Sequence, residues 1–292
     1  MHSVGEGLRS WWQQAQPRAV LDDGLFWWND GVERHRVLDL DARQVSLTPA
    51  QDWPQAQAQQ GRLSWDGESF DILAMQAQMA GLQAPQVQVI KRPQQPWRLS
   101  SQIQAAAQGY REVLAQLPLT LGDWPQNLNL SGTLSGSIDL ALESPLAGQV
   151  RLTSQDLDAQ WLPLNLAAQQ LAGQLIWDLD KGFVDSQFQG QYAGRPVQVS
   201  FDDGPTFGLA VQAQIEAKDA SARFLPQLEP YVSGVLSVQA RVADEWQVTT
   251  ALTQSNTQLP LPMNQAGQLT ITGNDERIQV RFDDHLDLRW AG

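Results

Sequence analysis

The chain of 292 residues contains no cysteine. Disulfide frameworks, zinc–thiolate sites, iron–sulfur clusters and thiol catalysis are thereby excluded. Basic residues are scarce. Nineteen Lys and Arg stand against 32 Asp and Glu, for a net charge of −13, and the lysines are Lys91, Lys181 and Lys218. No Lys/Arg cluster forms the positive stripe that displaces counterions from a phosphate backbone, so nucleic acid is not an expected partner. The same charge argues against a polybasic grip on anionic lipid headgroups. No run approaches the ~18–20 apolar residues of a membrane-spanning helix. Residues 1–7 carry neither the basic region nor the apolar core of a signal peptide. Nucleophile-elbow, phosphate-loop and His-Glu-x-x-His patterns are missing too, so no catalytic residue, cofactor or metal is expected.

What the chain does have is alternation. Phe207, Leu209, Val211, Ala213, Ile215 and Ala217 are apolar, with Gln212, Gln214 and Glu216 among the residues between them. Leu38/Leu40, Leu63/Trp65, Val87/Val89, Ile138/Leu140/Leu142, Val150/Leu152, Val197/Val199/Phe201, Leu269/Ile271, Ile278/Val280/Phe282 and Leu286/Leu288/Trp290 behave alike. Successive side chains of a strand point to opposite faces, so this pattern predicts antiparallel sheet with one apolar and one polar face. Helical spacing is confined to three short places: Leu8 to Ala15 before Pro17, Ala106 to Leu117 before Pro118, and Asp219 to Leu225 before Pro226. Proline lacks the amide a helix interior needs and ends each one.

Those prolines open a threefold pattern. After each comes a glycine leading into a strand, at Gly24, Gly132 and Gly234, the last two as Ser131-Gly132 and Ser233-Gly234. A second marker runs Gly61-Arg62-Leu63-Ser64-Trp65, Gly173-Gln174-Leu175-Ile176-Trp177 and Gly267-Gln268-Leu269-Thr270-Ile271. A third is Met79-Ala80-Gly81, Tyr192-Ala193-Gly194 and Trp290-Ala291-Gly292. Three markers in one order, three times over, predict repeats at 1–104, 105–217 and 218–292. The first two carry a further strand pair after the Ala-Gly marker, whereas the third stops on it. The expectation is therefore an excerpt of a chain that continues past position 292.

The order of short helix, proline, Ser-Gly strand and Ala-Gly-Gln-Leu-Ile-Trp strand resembles the YhdP-type branch of the bacterial AsmA-like family, which also includes TamB. Leu162 to Trp177, Gly190 to Val197 and Phe224 to Gly234 carry most of the likeness. It implies an elongated, twisted, repeating antiparallel β-groove in the periplasm, anchored in the inner membrane through parts of the parent chain outside this sequence. It further implies a role in moving phospholipid between membranes. TamB-like members are also linked to outer-membrane protein assembly, which would bring envelope protein partners.

Physics suits such a groove. Each CH₂ exposed to water costs about 0.8 kcal/mol, on the order of 13 kcal/mol for a ~16-carbon chain. An apolar strip removes most of that cost without a polar pocket. The in-phase residues expected on the inner face are Leu140, Leu142, Val150, Leu152, Trp161, Leu175, Trp177, Val197, Val199, Phe201, Leu209, Val211, Ile215, Val248, Ile271, Val280 and Phe282. A closed sandwich or barrel would show the same alternation, and that alternative stays open at this stage.

Other features have plainer readings. His35 sits in the charged stretch Glu33-Arg34-His35-Arg36, read as a turn. His285, near Asp283, Asp284 and Asp287, reads as a hairpin turn, because alternate strand residues diverge and do not converge on a metal. Asp22-Asp23-Gly24 and Asp202-Asp203-Gly204 read as turns, since Asp-Gly is hairpin chemistry. Of twelve tryptophans, Trp65, Trp161, Trp177 and Trp290 are in phase with the apolar face, and Trp11, Trp12, Trp27 and Trp28 could cover an end of the array. Two rival roles remain: a scaffold that binds proteins by strand addition, and a tryptophan-dependent glycan-binding module.

Overall fold

The computed structural model describes residues 13–29, 35–48, 54–110, 124–142, 147–162, 166–204, 208–219, 229–230, 232–243, 245–252, 267–274, 277–283 and 286–291. The described residues are nearly all β, in antiparallel strands. The chain separates into two compact units, Met1–Ser154 with Ile176–Asp180, and Gln155–Leu175 with Lys181–Gly292.

The first unit holds β1 (Arg18–Asn29), β2 (His35–Leu47), β3 (Ala56–Trp65), β4 (Phe70–Met79), β5 (Leu82–Lys91), β6 (Arg98–Ala106), β7 (Leu128–Ser131), β8 (Thr133–Ala141) and the first part of β9 (Ala147–Trp161). Strands β1 to β6 pair in succession, β6 then pairs with β8, and β8 with β9. The second unit holds the remainder of β9, most of β10 (Leu166–Asp178), the two-residue β11 (Gly182–Phe183), β12 (Gln187–Tyr192), β13 (Arg195–Phe201), β14 (Leu209–Glu216), β15 (Val235–Val242), β16 (Trp246–Leu252), β17 (Gly267–Gly273), β18 (Arg277–Phe282) and β19 (Leu286–Ala291). Here β10 pairs with β12, and β12 to β19 pair in succession.

The markers acquire physical meaning. Ala80-Gly81 and Ala193-Gly194 have φ of 50° and 85°, and 49° and 75°, in the two-residue turns between β4 and β5 and between β12 and β13. Two consecutive left-handed residues suit the right-handed twist of the strands they join. Ala291 of the third Ala-Gly ends β19, one strand further from its Gly-x-Leu marker on β17, and Gly292 lies outside the described residues. The Ser-Gly markers also coincide. Ala107 N–H donates to the Gly132 carbonyl (2.9 Å) and Ala217 N–H to the Gly234 carbonyl (2.8 Å), and both alanines are fully buried.

The three expected helices are described only in part. Residues 13–15, Tyr110 and residues 217–219 are helical, preceded in the second case by a 3-10 turn over Ala107–Gly109. Leu8, Trp11, Trp12, Val113, Leu114, Leu117 and Leu225 lie outside the described residues, as do Phe207 and His285. The third helix begins at Ala217, two residues before its expected Asp219 start. A further short helix, α1 (Trp124–Asn127), was not signalled by the periodicity. Two turn readings are corrected. Asp22-Asp23-Gly24 lies inside β1, at an irregularity of register, with Asp22 ion-paired to Arg43 at 3.1 Å. His35 and Arg36 open β2. Asp and Gly suit a bulge as well as a turn, which is why the local chemistry did not separate them.

Candidate functional site

Directly opposed residues of an antiparallel pair point to the same face, so the registers assign each candidate. In the second unit Phe188, Val199, Val211, Ala240, Val248, Ile271 and Val280 lie opposite one another in one ladder from β12 to β18. Beside it run Val197, Ala213 and Val238, then Ile215 opposite Leu236, then Phe201, Leu209 and Val242, and Leu269 opposite Phe282. All ten candidates from Val197 to Phe282 therefore share one face. Leu175 joins them by alternation, two positions from Gly173, which opposes Phe188.

The first unit repeats the arrangement. Leu40, Leu63, Ile72, Val89, Leu99 and Leu140 form one continuous row, and Ile138 opposes Val150. Leu152 opposes Gly136, so Leu140, Val150 and Leu152 face the same way. Leu142 falls just beyond β8, 39% exposed, its N–H donating to the Trp97 carbonyl at 2.7 Å. The first-copy members of this row carry the same alternation as the rest; the candidate set drew only on the second and third copies and missed them.

Burial differs along these faces. Leu140, Val197, Ile215, Val248, Ile271, Val280 and Phe282 are buried, whereas Val150, Leu152, Trp161, Leu175, Trp177, Val199, Phe201, Leu209 and Val211 remain half-exposed. Ile215 and Phe282 belong to a cluster with Ala217, Val232, Leu236 and Leu252, and Val248, Ile271 and Val280 form another. Each such side chain contributes about 1.5–3 kcal/mol to folding by leaving water. Among the described residues, no large side chain is fully buried.

In each unit glycines permit close backbone approach on the apolar face. A β-carbon on Gly136 would lie 1.9 Å from the Arg151 carbonyl oxygen, and one on Gly148 2.2 Å from that of Asp139. In the second unit the corresponding figures are 2.1 Å from Gln187 at Gly173 and 2.6 Å from Gln169 at Gly190. These glycines oppose Leu152, Leu140, Phe188 and Val197, all on the apolar face. A β-carbon directed into that face would strike the neighbouring backbone, so glycine is what lets the strands approach so closely at both places.

The alternation also slips, in step, across several strands. Arg43 and Gln44, Gln59 and Gln60, Met75 and Gln76, and Pro85 and Gln86 are consecutive exposed pairs in β2, β3, β4 and β5. Beyond them the apolar positions change parity, yet Val45, Ala58, Ala77 and Ala84 still oppose one another, as do Leu47, Ala56, Met79 and Leu82. Gln44 and Gln76 adopt φ of 53° and 52° at the slip. In β9 the pair Gln155 and Asp156 separates buried Ser154 from buried Leu157, and in β10 Gln169 and Gln170 precede buried Leu171, with Gln170 at φ 53°. Trp161 lies beyond the β9 slip.

Aromatic side chains gather where the short hairpins close. Trp65 stacks on Phe70 at 5.6 Å, and Phe70 lies 5.8 Å from Trp97. In the second unit Phe183 and Phe188 lie 5.0 and 6.5 Å from Phe201.

The opposite face is polar. Arg62 donates to both carboxylate oxygens of Asp39, at 3.0 and 2.5 Å, and Arg98 to both of Asp139, at 3.1 Å each. The Arg62 hydrogen bond, with one from Ser64, holds Asp39 below the ordinary carboxylate range. Asp66, in the β3–β4 turn, is lowered by the N–H groups of Ser69 and Glu68 that it accepts, at 2.7 and 3.0 Å. No group of three or more metal-ligating residues occurs among the described residues, and no described helix is long and apolar enough to cross a membrane. No family model, curated protein or solved structure matches the chain.

Proposed function

We propose that the apolar face shields phospholipid acyl chains, without catalysis, as part of a bacterial bridge that carries lipid between membranes across the periplasm. The observation that carries this reading is the second unit's ladder. Seven successive apolar positions oppose one another from Phe188 to Val280, while Val199, Phe201, Leu209 and Val211 stay half-exposed. Hydrocarbon laid along such a strip exchanges contact with water for contact with Val, Leu and Phe, at about 0.8 kcal/mol per CH₂. In each unit glycines let the backbones of neighbouring strands approach closely on the apolar face, at Gly136 and Gly148 in the first and at Gly173 and Gly190 in the second. The likeness to the AsmA-like family supports the same substrate, the periplasmic setting and an inner-membrane anchor supplied by the parent protein.

Native mass spectrometry of the chain purified from a bacterial envelope tests the reading, together with transfer of fluorescent phospholipid between zwitterionic vesicles. Co-purifying phospholipid and faster transfer are expected, with Val211→Asp abolishing the acceleration because an ion in the strip would have to be desolvated. Transfer unchanged by Val211→Asp, in a variant that still folds, overturns the proposal.

A further inference from the structure

The β3–β4 and β5–β6 connections close at one end of the first unit's apolar face, where the residue types change. Further along the strands the face is built mainly of Leu, Ile, Val and Ala. At this end Trp65, Phe70 and Lys91 oppose one another across β3, β4 and β5. Trp97, one residue before β6, lies 5.8 Å from Phe70, and Trp65 stacks on Phe70 at 5.6 Å. All four side chains are half-exposed.

Lys91 stands apart on this face. It alternates with Val89 and Val87, as Phe70 does with Ile72 and Ala74. Among the described residues of β3 to β6 and β8, it is the one charged side chain there, since Arg62, Asp71, Arg98 and Asp139 belong to the polar face. A lysine stem lies along apolar surface while its ammonium reaches water. The Lys91 ammonium donates to the Gln95 carbonyl in the β5–β6 turn, which holds it at the end of the face. Asp66, in the neighbouring β3–β4 turn, is directed to other partners. It accepts the N–H groups of Glu68 and Ser69, and its charge is further stabilised by Arg92.

We infer that this end of the first unit is a headgroup site, where the Lys91 ammonium meets the phosphodiester of a phospholipid and Trp65, Phe70 and Trp97 cover its glycerol and first methylenes. The inference rests on the lipid reading and narrows it, from acyl chains of any lipid to lipids that carry an anionic phosphate. An apolar strip that ends in one cation complements a molecule whose hydrocarbon ends in one anion. Aromatic rings suit that boundary between apolar and wet zones. In a chain of net charge −13 most of the surface repels an anion, so a local ammonium sets where one approaches. An ammonium carries three N–H donors, so the Gln95 bond and a bond to a phosphate oxygen are compatible.

The test follows transfer of acyl-labelled phosphatidylethanolamine, and of the matching diacylglycerol, between phosphatidylcholine vesicles by the full chain. The wild type is expected to accelerate both. Lys91→Met keeps the stem and removes the charge-assisted bond. It should slow phosphatidylethanolamine transfer by about tenfold, leave diacylglycerol transfer no slower than in wild type, and leave the melting profile unchanged. Lys91→Arg should restore the phospholipid rate. Glycerophosphoethanolamine, the same headgroup without acyl chains, should not compete. Competition by it overturns the inference in favour of a site for free phosphate esters. Equal slowing of both lipids by Lys91→Met, or slowing of neither, overturns the inference and leaves the lipid reading standing. A wild type that accelerates neither lipid overturns both.

Discussion

Gly148 stands opposite Leu140 in the β8–β9 ladder, and a β-carbon on it would come within 2.2 Å of the Asp139 carbonyl oxygen and 2.9 Å of the Leu140 α-carbon. Its φ of +130° adds a backbone conformation that L side chains rarely adopt. Both conditions converge on one residue because the backbones of β8 and β9 approach closely on the apolar face there. Gly148→Ala is expected to cost about 1–3 kcal/mol or more in urea denaturation, from the strained backbone and the displaced strand. Alanine at Gly194, whose φ is +75° but around which nothing lies within 4 Å, should cost less. Equal losses at the two positions would show that backbone conformation alone sets the cost and that the close approach of the neighbouring strand does not.

The slip in β4 makes a different demand. Ala74 and Ala77 both lie on the apolar face because Met75 and Gln76 intervene as two exposed residues, with Gln76 left-handed. Removing Gln76 restores simple alternation in β4 and keeps Ala77 and Met79 on the apolar face, but leaves β4 one residue short of β3 and β5, whose slips at Gln59–Gln60 and Pro85–Gln86 then have no counterpart. The deletion is expected to broaden or abolish cooperative unfolding, measured by circular dichroism. Gln76→Gly, which relieves the left-handed strain, should be neutral or mildly stabilising, and Gln76→Val should cost about 1–2 kcal/mol.

Asp66 gives a pH signature. Its carboxylate accepts hydrogen bonds from Ser69 and Glu68 N–H and has a folded pKa below the ordinary value. A depressed carboxylate contributes stability that is fully present above its unfolded pKa and is lost as pH falls through the folded one. Asp66→Ala is therefore expected to lower the denaturation midpoint at neutral pH. The gap to wild type should shrink as pH falls below the ordinary aspartate range and close once Asp66 is protonated in the folded state as well. Asp39, lowered by Arg62, should behave in the same direction. A gap that stays constant with pH would assign the loss to the turn's backbone rather than to the charge.

These residues also mark what alternation can and cannot convey. Val197, Val199 and Phe201, or Leu209 to Ile215, announce strand and face together, because nothing interrupts the period of two. The Ala-Gly pairs at Ala80 and Ala193 were recognisable as repeat markers, though their role as left-handed turns emerges only with coordinates. The slips were hidden. Two adjacent polar residues such as Arg43 and Gln44 read as the end of a strand, and only the matching slip in β3, β4 and β5 makes them part of a continuous one. That match is a property of pairing, which a single strand's sequence does not contain. Asp22-Asp23-Gly24 was misread for a related reason, because its chemistry serves a bulge within β1 as well as a turn.

The apolar face serves two ends, and a pair of substitutions separates them. Ile215 is 7% exposed and packs in the cluster with Ala217, Val232, Leu236, Leu252 and Phe282, whereas Val211, four residues earlier on the same face, is half-exposed. Truncating Ile215 leaves a cavity that its neighbours fill only in part, so Ile215→Ala is expected to cost about 2–4 kcal/mol. Val211→Ala removes less buried surface and should cost about 1 kcal/mol or less. Charge reverses the order of interest. Ile215→Asp places an unpaired carboxylate inside a packed cluster and should unfold the second unit, which makes it uninformative about lipid. Val211→Asp can keep its carboxylate hydrated at the open part of the face, so the fold should survive with an unchanged fluorescence melting profile while acyl chains lose their continuous apolar strip. If Val211→Asp unfolds the protein as readily as Ile215→Asp, the strip at Val211 is packed interior rather than accessible surface, and the lipid reading loses its footing.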